Sequence, residues 1–176
     1  MRLLDLRIDK HGTKDPLGLP EEMVIRRARE GELSRIRALS IEELPAELDD
    51  DELKFVQRAK EVFGERLDAI LTRAGNEFFV AQVGEDEGMA GYVWFGVSQR
   101  PFSGAEIGWI YDILVLPEHR GKGIGEAFMK HALKVSKERG FTKTGLMVNA
   151  KNRAAWSLYE KLGFQTEYRI MNRREG

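Results

Sequence analysis

The chain has 176 residues, of which 28 are lysine or arginine, 29 are aspartate or glutamate and none is cysteine. The lack of cysteine excludes a thiol nucleophile, an iron–sulfur cluster and cysteine-ligated zinc, and it is typical of a reducing compartment. A net charge of −1 argues against a nucleic-acid partner, because phosphate contacts need a basic excess.

No apolar run approaches the ~18 residues of a membrane span, and residues 1–7 are too charged for a secretory signal. We therefore expect a cytoplasmic protein without a membrane partner. The first 22 residues are dense in turn formers and predict an N-terminal arm. One domain over residues 23–176 is expected to follow, because a chain of this length folds around one core.

A strand and two helices are predicted next. Apolar and β-branched residues favour a strand over 24–28, and apolar spacings of three and four favour helices over 32–40 and 51–73. The second helix is expected to be interrupted at Gly64. Residues 42–52 hold seven carboxylates and no base, which is typical of a solvated loop leading into a helix N-terminus. The alternative is an acidic wall for a cationic substrate.

The second half of the chain alternates strands with helices. The short polar linker at residues 84–88 predicts a hairpin between the strands on either side. Antiparallel strands in the middle, with helices between the outer ones, predict an α/β (α+β) domain with a mixed central sheet flanked by helices. Its element order is β-α-α-β-β-β-α-β-α-β. The later elements are strands over 78–83, 89–97 and 107–116, a helix over 123–139, a strand over 143–149, a helix over 153–162 and a strand over 164–171.

A glycine-rich turn joins the third of these strands to the helix that follows it. Its sequence is Arg120-Gly121-Lys122-Gly123-Ile124-Gly125. The N–H groups at a helix N-terminus lack partners and attract anions, and glycines let a ligand approach the main chain, so the turn predicts a phosphate site. The spacing does not fit a P-loop, and Glu126 stands where a dinucleotide fingerprint needs a small residue. Glycines that only punctuate a turn are the alternative.

A second motif runs from Asn152 to Phe164. Together the two segments match V-x-P-x-x-R-G-x-G-x-G, beginning at Val115, and N-x-x-A-x-x-x-Y-x-x-x-G-F, beginning at Asn152. In both patterns and in their order the chain resembles the GCN5-related N-acetyltransferase (GNAT) family. The resemblance is strong over residues 105–171, rests on element order over 23–100 and does not include the arm.

The resemblance implies that acetyl-CoA is the acetyl donor and that no metal takes part. The main chain of residues 121–126 would hold the pyrophosphate, and the strand at 113–115 would hydrogen-bond the pantetheine arm and supply a backbone donor near the carbonyl. Asn152 most simply caps the following helix, and the family also places its side chain against the cofactor arm. The implied cofactor-binding residues are Leu114, Val115, Arg120, Gly121, Lys122, Gly123, Ile124, Gly125, Glu126, Asn152, Ala155 and Tyr159.

Tyr159 is the candidate general acid for the leaving thiolate. Apolar residues recur with it on one side of the helix over 153–162, so its phenol is expected to point toward the sheet and the cofactor. An ordinary core tyrosine is the alternative.

The general base is less sharply indicated. Many family members carry a glutamate on the strand that corresponds to residues 143–149, where this chain has Met147, which cannot accept a proton. Other members use acidic or histidine side chains on the strand that corresponds to residues 106–113, so the resemblance implies that a water relayed to Glu106 or Asp112 takes the proton of the amine.

Two aromatic residues of the same strand, Trp109 and Tyr111, are expected to form walls of the acceptor pocket. Side chains alternate along a strand. The two aromatic residues should therefore share one face, and Glu106 and Asp112 the other, unless a bulge intervenes.

The three histidines are scattered and predict no metal site. His131 lies three residues after Phe128 and four before Val135 on one helix, which favours a place at the edge of the core.

These features predict an acetyl-CoA-dependent N-acetyltransferase that acts on a primary amine by direct attack in a ternary complex. Without cysteine the chain cannot form a cysteinyl acyl-enzyme. The acceptor is either a small cationic amine or a protein or peptide amine. A non-catalytic acyl-CoA-binding regulatory or sensor domain is the alternative from another class, and it would dispense with Tyr159. A homodimer is compatible with the sequence.

Overall fold

A five-stranded sheet forms the centre of the computed structural model, which describes residues 23–71, 74–84 and 88–173. Its strands are β1 (Met23–Arg27), β2 (Glu77–Val83), β3 (Met89–Gln99), β4 (Glu106–Val115) and β5 (Thr144–Leu146). They lie side by side in chain order, antiparallel except for the parallel pair of β4 and β5. The arm predicted for residues 1–22 lies outside the described residues.

Helices cover both faces of this sheet. They are α1 (Glu30–Glu43), α2 (Asp50–Leu53), α3 (Val56–Leu71), α4 (Ile124–Glu138) and α5 (Arg153–Lys161). Short 3-10 turns occur at Leu44–Glu47 and Pro117–His119.

Alternating side chains of the strands build a core on each face. Phe79 and Phe95 pack with the buried side of α4 on one face. On the other face, Trp94 packs in a cluster with Ile36 of α1 and Leu67 of α3. The strands are apolar on both faces because both are covered. This three-layer arrangement confirms the predicted mixed α/β class with a central sheet flanked by helices.

The hairpin prediction is confirmed, since β2 and β3 are antiparallel neighbours on either side of residues 84–88. The last predicted strand is wrong. Residues 164–171 form neither helix nor strand, and Ile170 and Met171 are exposed. The physical reason lies in β5, which has three residues instead of the predicted seven and offers too short an edge for a further strand.

The helix predicted over 51–73 is two helices. Asp49 caps the first of them, α2, by accepting the N–H groups of Asp51 at 2.9 Å and Glu52 at 3.0 Å. This part of the acidic segment therefore serves a helix N-terminus, as predicted. The interruption expected at Gly64 is wrong: α3 runs through it, and a Cβ there would lie 3.1 Å from the Arg37 guanidinium of α1.

Replacing Glu32 by glutamine is expected to lower the free energy of unfolding by about 2 kcal/mol. The Glu32 carboxylate accepts two hydrogen bonds of 2.8 Å from Arg26 and one of 2.7 Å from the N–H of Arg29, where α1 begins. The Arg26 hydrogen bond lowers the pKa of Glu32 from 4.5 to about 2. Both side chains are largely buried, so solvent screens the pair only in part.

The sign of the pH dependence follows from that lowered pKa. The contribution of Glu32 is complete above about pH 4.5 and is lost as the pH falls toward 2. The difference between Glu32→Gln and the parent in urea unfolding should therefore shrink over this range. Glu30→Gln, an exposed change in the same helical turn, is the matched control. Equal stabilities of the two variants at pH 7 would contradict this prediction.

Candidate active site

The strands β4 and β5 part half-way along β4. Their parallel pairing ends at Ile110 and Leu146. At the same point β4 carries a β-bulge against β3, in which Tyr111 is the extra residue. Residues 111–115 therefore have a strand partner on one side only, and their other edge faces the gap left by β5.

The glycine-rich turn follows this open edge directly and leads into α4. Gly121 and Gly123 both have a φ of 76°, a left-handed conformation that residues with a Cβ rarely adopt. The N–H of Ala127 donates to the Gly123 carbonyl at 3.0 Å. Within the described part of the chain, the preceding N–H groups of residues 121–126 donate no hydrogen bond. A row of free donors at the positive end of α4 is suited to bind an anion.

The charged side chains of the turn are arranged around these donors. Arg120 donates from Nε to the Val115 carbonyl at 3.0 Å and lies 3.9 Å from the Glu43 carboxylate. Lys122 is exposed. Glu126 is paired with Lys161 at 2.7 Å and with Lys130 at 3.0 Å, and these lysines hold its pKa below the usual range. The negative charge of Glu126 is thereby balanced beside the predicted phosphate site.

Helix α5 lies beside the start of α4, where Lys161 pairs with Glu126. Asn152 caps it by accepting the N–H of Ala155 at 3.1 Å, which confirms the predicted capping role. Asn149 donates from its side chain to the Glu47 carbonyl at 3.2 Å. This bond ties the loop before α5 to the 3-10 turn after α1.

Tyr159 lies on the packed side of α5, as the helical spacing predicts. The half-buried ring packs against the α4-side core, and its centroid lies 6.0 Å from that of Phe164. Burial raises the pKa of Tyr159, and the charges of Asp112 and Glu47 raise it further. The phenol is therefore protonated at neutral pH and lies within electrostatic reach of Asp112.

Asp112 is the first residue after the bulge. Its Oδ2 atom accepts hydrogen bonds from the Tyr92 hydroxyl and, at 3.1 Å, from the Ser40 hydroxyl. Burial raises the pKa of Asp112 above its ordinary range, while the two hydroxyls act in the opposite direction. A carboxyl with such a pKa is a better proton acceptor than an exposed aspartate.

The bulge on β4 is the stated exception to the predicted sharing of faces, and it separates Glu106 from Asp112. Asp112 pairs with Trp94 and Trp109 with Gly96 of β3, so both lie on the face covered by α1 and α3. Glu106 pairs with Gln99, on the opposite face, and is exposed. Asp112 and Glu106 therefore do not share a face, because the extra residue reverses the alternation between them.

The predicted aromatic walls meet at the bulge. The Trp109 and Tyr111 ring centroids lie 6.5 Å apart, and the Tyr111 ring stacks on Trp94 with centroids 4.7 Å apart. The Tyr111 hydroxyl donates to the Val97 carbonyl at 2.9 Å. The structure thus places a continuous aromatic surface beside Asp112.

Two carboxylates of the acidic segment lie close to these residues. Glu43 raises the pKa of Asp112, and Glu47 that of Tyr159, through their negative charge. Asp49, Asp51 and their neighbours instead serve the N-terminus of α2. The acidic segment therefore supplies carboxylates both to the N-terminus of α2 and to the surroundings of Asp112 and Tyr159.

His131 lies in the core beneath β2 and is 8% exposed. The centroid of its ring lies 4.3 Å from that of the Phe79 ring, in an edge-on arrangement. Burial lowers the pKa of His131 to about 4. Among the described residues, no group of three or more acidic or histidine side chains could hold a metal ion. No helix in the described ranges is long and apolar enough to cross a membrane.

The sequence agrees with a model of the acetyltransferase (GNAT) family over residues 24–164. The chain belongs to the GNAT family. Thialysine N-epsilon-acetyltransferase of Bos taurus is 31% identical to this GNAT protein over 149 residues, which cover 81% of this chain and 84% of that relative. Mycothiol acetyltransferase of Renibacterium salmoninarum is 33% identical over 86 residues. That match covers 49% of this chain and 25% of the relative, so this chain spans about a quarter of the length of that relative.

The fold is also similar to that of a solved acetyl transferase structure. A solved structure of a provisionally assigned acetyl transferase from Pyrococcus furiosus superimposes with a TM-score of 0.73 at 28% identity. The superposition covers 88% of this GNAT protein and 100% of that chain.

The sequence did not predict a role for Ser40 or Tyr92, nor the distinct positions of Glu43 and Glu47. Tyr92 stands in the apolar run of β3, and a buried tyrosine needs a partner for its hydroxyl. This need for a hydroxyl partner was the signal in the sequence that could have identified Tyr92. Ser40 carried none, because its partners lie 52 and 72 residues away along the chain.

Proposed function

We propose that this GNAT protein transfers the acetyl group of acetyl-CoA to a primary amine by direct attack in a ternary complex. One observation carries the proposal: the open edge of β4 leads directly into a turn whose N–H groups are free. A single extended ligand with a phosphate group can therefore pair with the strand and reach the N-terminus of α4. The lack of cysteine favours the cytoplasm, a reducing compartment, as the location of the protein.

The cofactor contacts follow the order of these elements. The N–H groups of residues 121–126, with Arg120 and Lys122, bind the pyrophosphate. The free edge at residues 113–115 hydrogen-bonds the pantetheine arm, although the Val115 carbonyl is already engaged by Arg120. Asn152 and Ala155 at the start of α5 line the other side of the arm.

The chemistry needs a neutral amine, a stabilised oxyanion and a proton for the thiolate. A backbone N–H of the open edge of β4 stabilises the oxyanion. Tyr159 donates the proton to the leaving sulfur. Asp112 is the better of the two candidate bases, because it lies beside the open edge with a raised pKa, whereas Glu106 is exposed on the other face.

A small cationic amine is the acceptor class that the site favours, with a peptide amine as the second candidate. Glu43 and Glu47 put negative charge near Asp112 and Tyr159, and Trp109 and Tyr111 offer an aromatic surface. Ammonium groups are attracted by both features. The name of the Bos taurus relative, an acetyltransferase for the ε-amine of thialysine, is in keeping with this class. We also propose a homodimer, and light scattering of the protein in solution tests it.

Glu47→Gln is expected to raise the KM of a polyamine acceptor about threefold at low salt, because one attractive charge is lost. The difference from the parent should vanish at high salt, where such a charge is screened. Asp50→Asn, a neutralisation in the first turn of α2, is the control and should leave KM unchanged. A KM in Glu47→Gln that equals the parental value at low salt would show that Glu47 does not attract the acceptor.

Acetyl-CoA turnover tests the function as a whole. Free-thiol release is followed against polyamines, aminoglycosides, amino acids and peptides with free N-termini. We expect release with cationic small amines. A protein that binds CoA but releases thiol with none of these acceptors would instead be an acyl-CoA-binding regulatory domain.

A further inference from the structure

Three buried side chains from three elements meet beneath the open edge of β4. The Ser40 hydroxyl of α1 lies 2.6 Å from the Tyr92 hydroxyl of β3 and 3.1 Å from Oδ2 of Asp112. The Tyr92 hydroxyl also hydrogen-bonds the same Oδ2 atom. Ser40 is 5% exposed and Tyr92 is fully buried. The three oxygen atoms therefore form a closed triangle, which we call the Ser40–Tyr92–Asp112 triad.

The two hydroxyls stabilise the ionised form of Asp112. Serine and tyrosine carry one hydrogen each, and an ionised aspartate carries none. Both hydroxyls can donate to the carboxylate, or Ser40 can donate to Tyr92 and Tyr92 to the carboxylate. In either arrangement the ionised Asp112 accepts a hydrogen bond inside a region shielded from water, which opposes the effect of burial on its pKa.

We propose that Ser40 and Tyr92 are positioning residues for Asp112, and that the triad holds one exchangeable proton, which it accepts from the ammonium form of the acceptor. The role in transfer rests on the proposed function. In that step an N–H bond of the ammonium breaks and an O–H bond forms on the ionised Asp112 carboxylate. The products are a neutral amine, which keeps the electron pair for attack, and a neutral Asp112 carboxyl group.

The charges around the triad fit this exchange. Glu43 of α1 faces Asp112 and opposes its ionisation, while Arg120 lies 3.9 Å from the Glu43 carboxylate. Tyr159 faces it from α5, and a negative Asp112 raises the pKa of that phenol. Once the triad has taken a proton, this negative charge is gone and Tyr159 ionises more easily. Proton uptake by the triad therefore prepares Tyr159 to protonate the thiolate.

The test is a pH titration of the ligand-free protein with carboxyl-¹³C aspartate, in which Asp112→Asn assigns the Asp112 signal. We expect Asp112 to keep its proton at a pH at which the exposed aspartates have lost theirs. Ser40→Ala and Tyr92→Phe should each move its midpoint to higher pH by about one unit, because each removes a donor to the ionised form. Ser34→Ala on exposed α1 surface and Tyr168→Phe are the matched controls and should leave it in place.

An Asp112 signal that titrates with the exposed aspartates would overturn the proposal, and so would midpoints that stay unchanged in Ser40→Ala and Tyr92→Phe. The titration needs neither acetyl-CoA nor an amine, so its result is independent of the proposed function. In the active enzyme, the acidic limb of kcat/KM should shift in Ser40→Ala by the same amount, with the KM of acetyl-CoA little changed. A shifted titration with an unshifted limb would overturn the role of the triad in transfer.

Discussion

Tyr159→Phe is expected to lower kcat at least tenfold while the Kd of acetyl-CoA changes less. A tenfold loss corresponds to about 1.4 kcal/mol of transition-state stabilisation. A positioned acid typically contributes 10²–10⁴-fold, so larger losses fit the same account. The phenylalanine ring keeps the packing against Phe164 and the α4-side core, and the fold should survive.

The physical difficulty with this acid is its pKa. A phenol of pKa ~10 is a weaker acid than a free thiol, and burial raises the pKa of Tyr159 further. The sulfur gains basicity as its bond to carbon breaks and is most basic as the free thiolate. A full proton transfer from the phenol is therefore uphill by the difference in pKa, and Tyr159 lowers the barrier by hydrogen bonding to the negative charge that develops on the sulfur.

The control for Tyr159→Phe is Tyr168→Phe, which removes a phenol from an exposed position outside the helices and strands. Its kcat should equal that of the parent. If Tyr159→Phe turned over at the parental rate when chemistry limits kcat, Tyr159 would be a packing residue and solvent the first candidate for the acid.

Gly123→Val is expected to weaken CoA binding at least about tenfold, or 1.4 kcal/mol. Gly123 is the residue before α4 and has a left-handed backbone, so valine strains the turn and puts a side chain beside the free N–H groups. The pyrophosphate then loses its close approach to the main chain. Calorimetry with CoA measures the effect directly.

Backbone strain alone must be separated from the loss of the ligand contact. Gly140 follows the other end of α4, has a φ of 80° and faces open space. Gly140→Val therefore carries a similar strain far from the turn. It should lower stability and leave CoA affinity unchanged. Unchanged CoA affinity in a folded Gly123→Val protein would contradict the phosphate site.

The glycine-rich turn before α4 could be located from the sequence because its determinants are local. Arg120 to Gly125 and the residues from Asn152 to Phe164 are contiguous motifs, and the capping role of Asn152 follows from residue type and position. The fold class followed from apolar periodicity for the same reason. Long amphipathic helices such as α4 carry a strong signal, and the residues predicted to face the core at Ile124 and Phe128 are buried.

The rest of the site depends on contacts that the sequence does not display. The bulge at Tyr111 is a property of two strands together, and it alone puts Asp112 on the face of α1. The Ser40–Tyr92–Asp112 triad joins residues separated by as many as 72 positions. The missing last strand has a similar cause, because residues 164–171 have a strand-like pattern but only a three-residue edge at β5.

The most direct test of acetyl transfer in a ternary complex is two-substrate initial-rate kinetics in which released CoA thiol and acetylated amine are both quantified. We expect double-reciprocal lines that intersect when the amine concentration is varied at several acetyl-CoA concentrations, and one acetylated amine for each thiol released. Parallel lines, or thiol release without acetylated amine, would contradict acetyl transfer in a ternary complex.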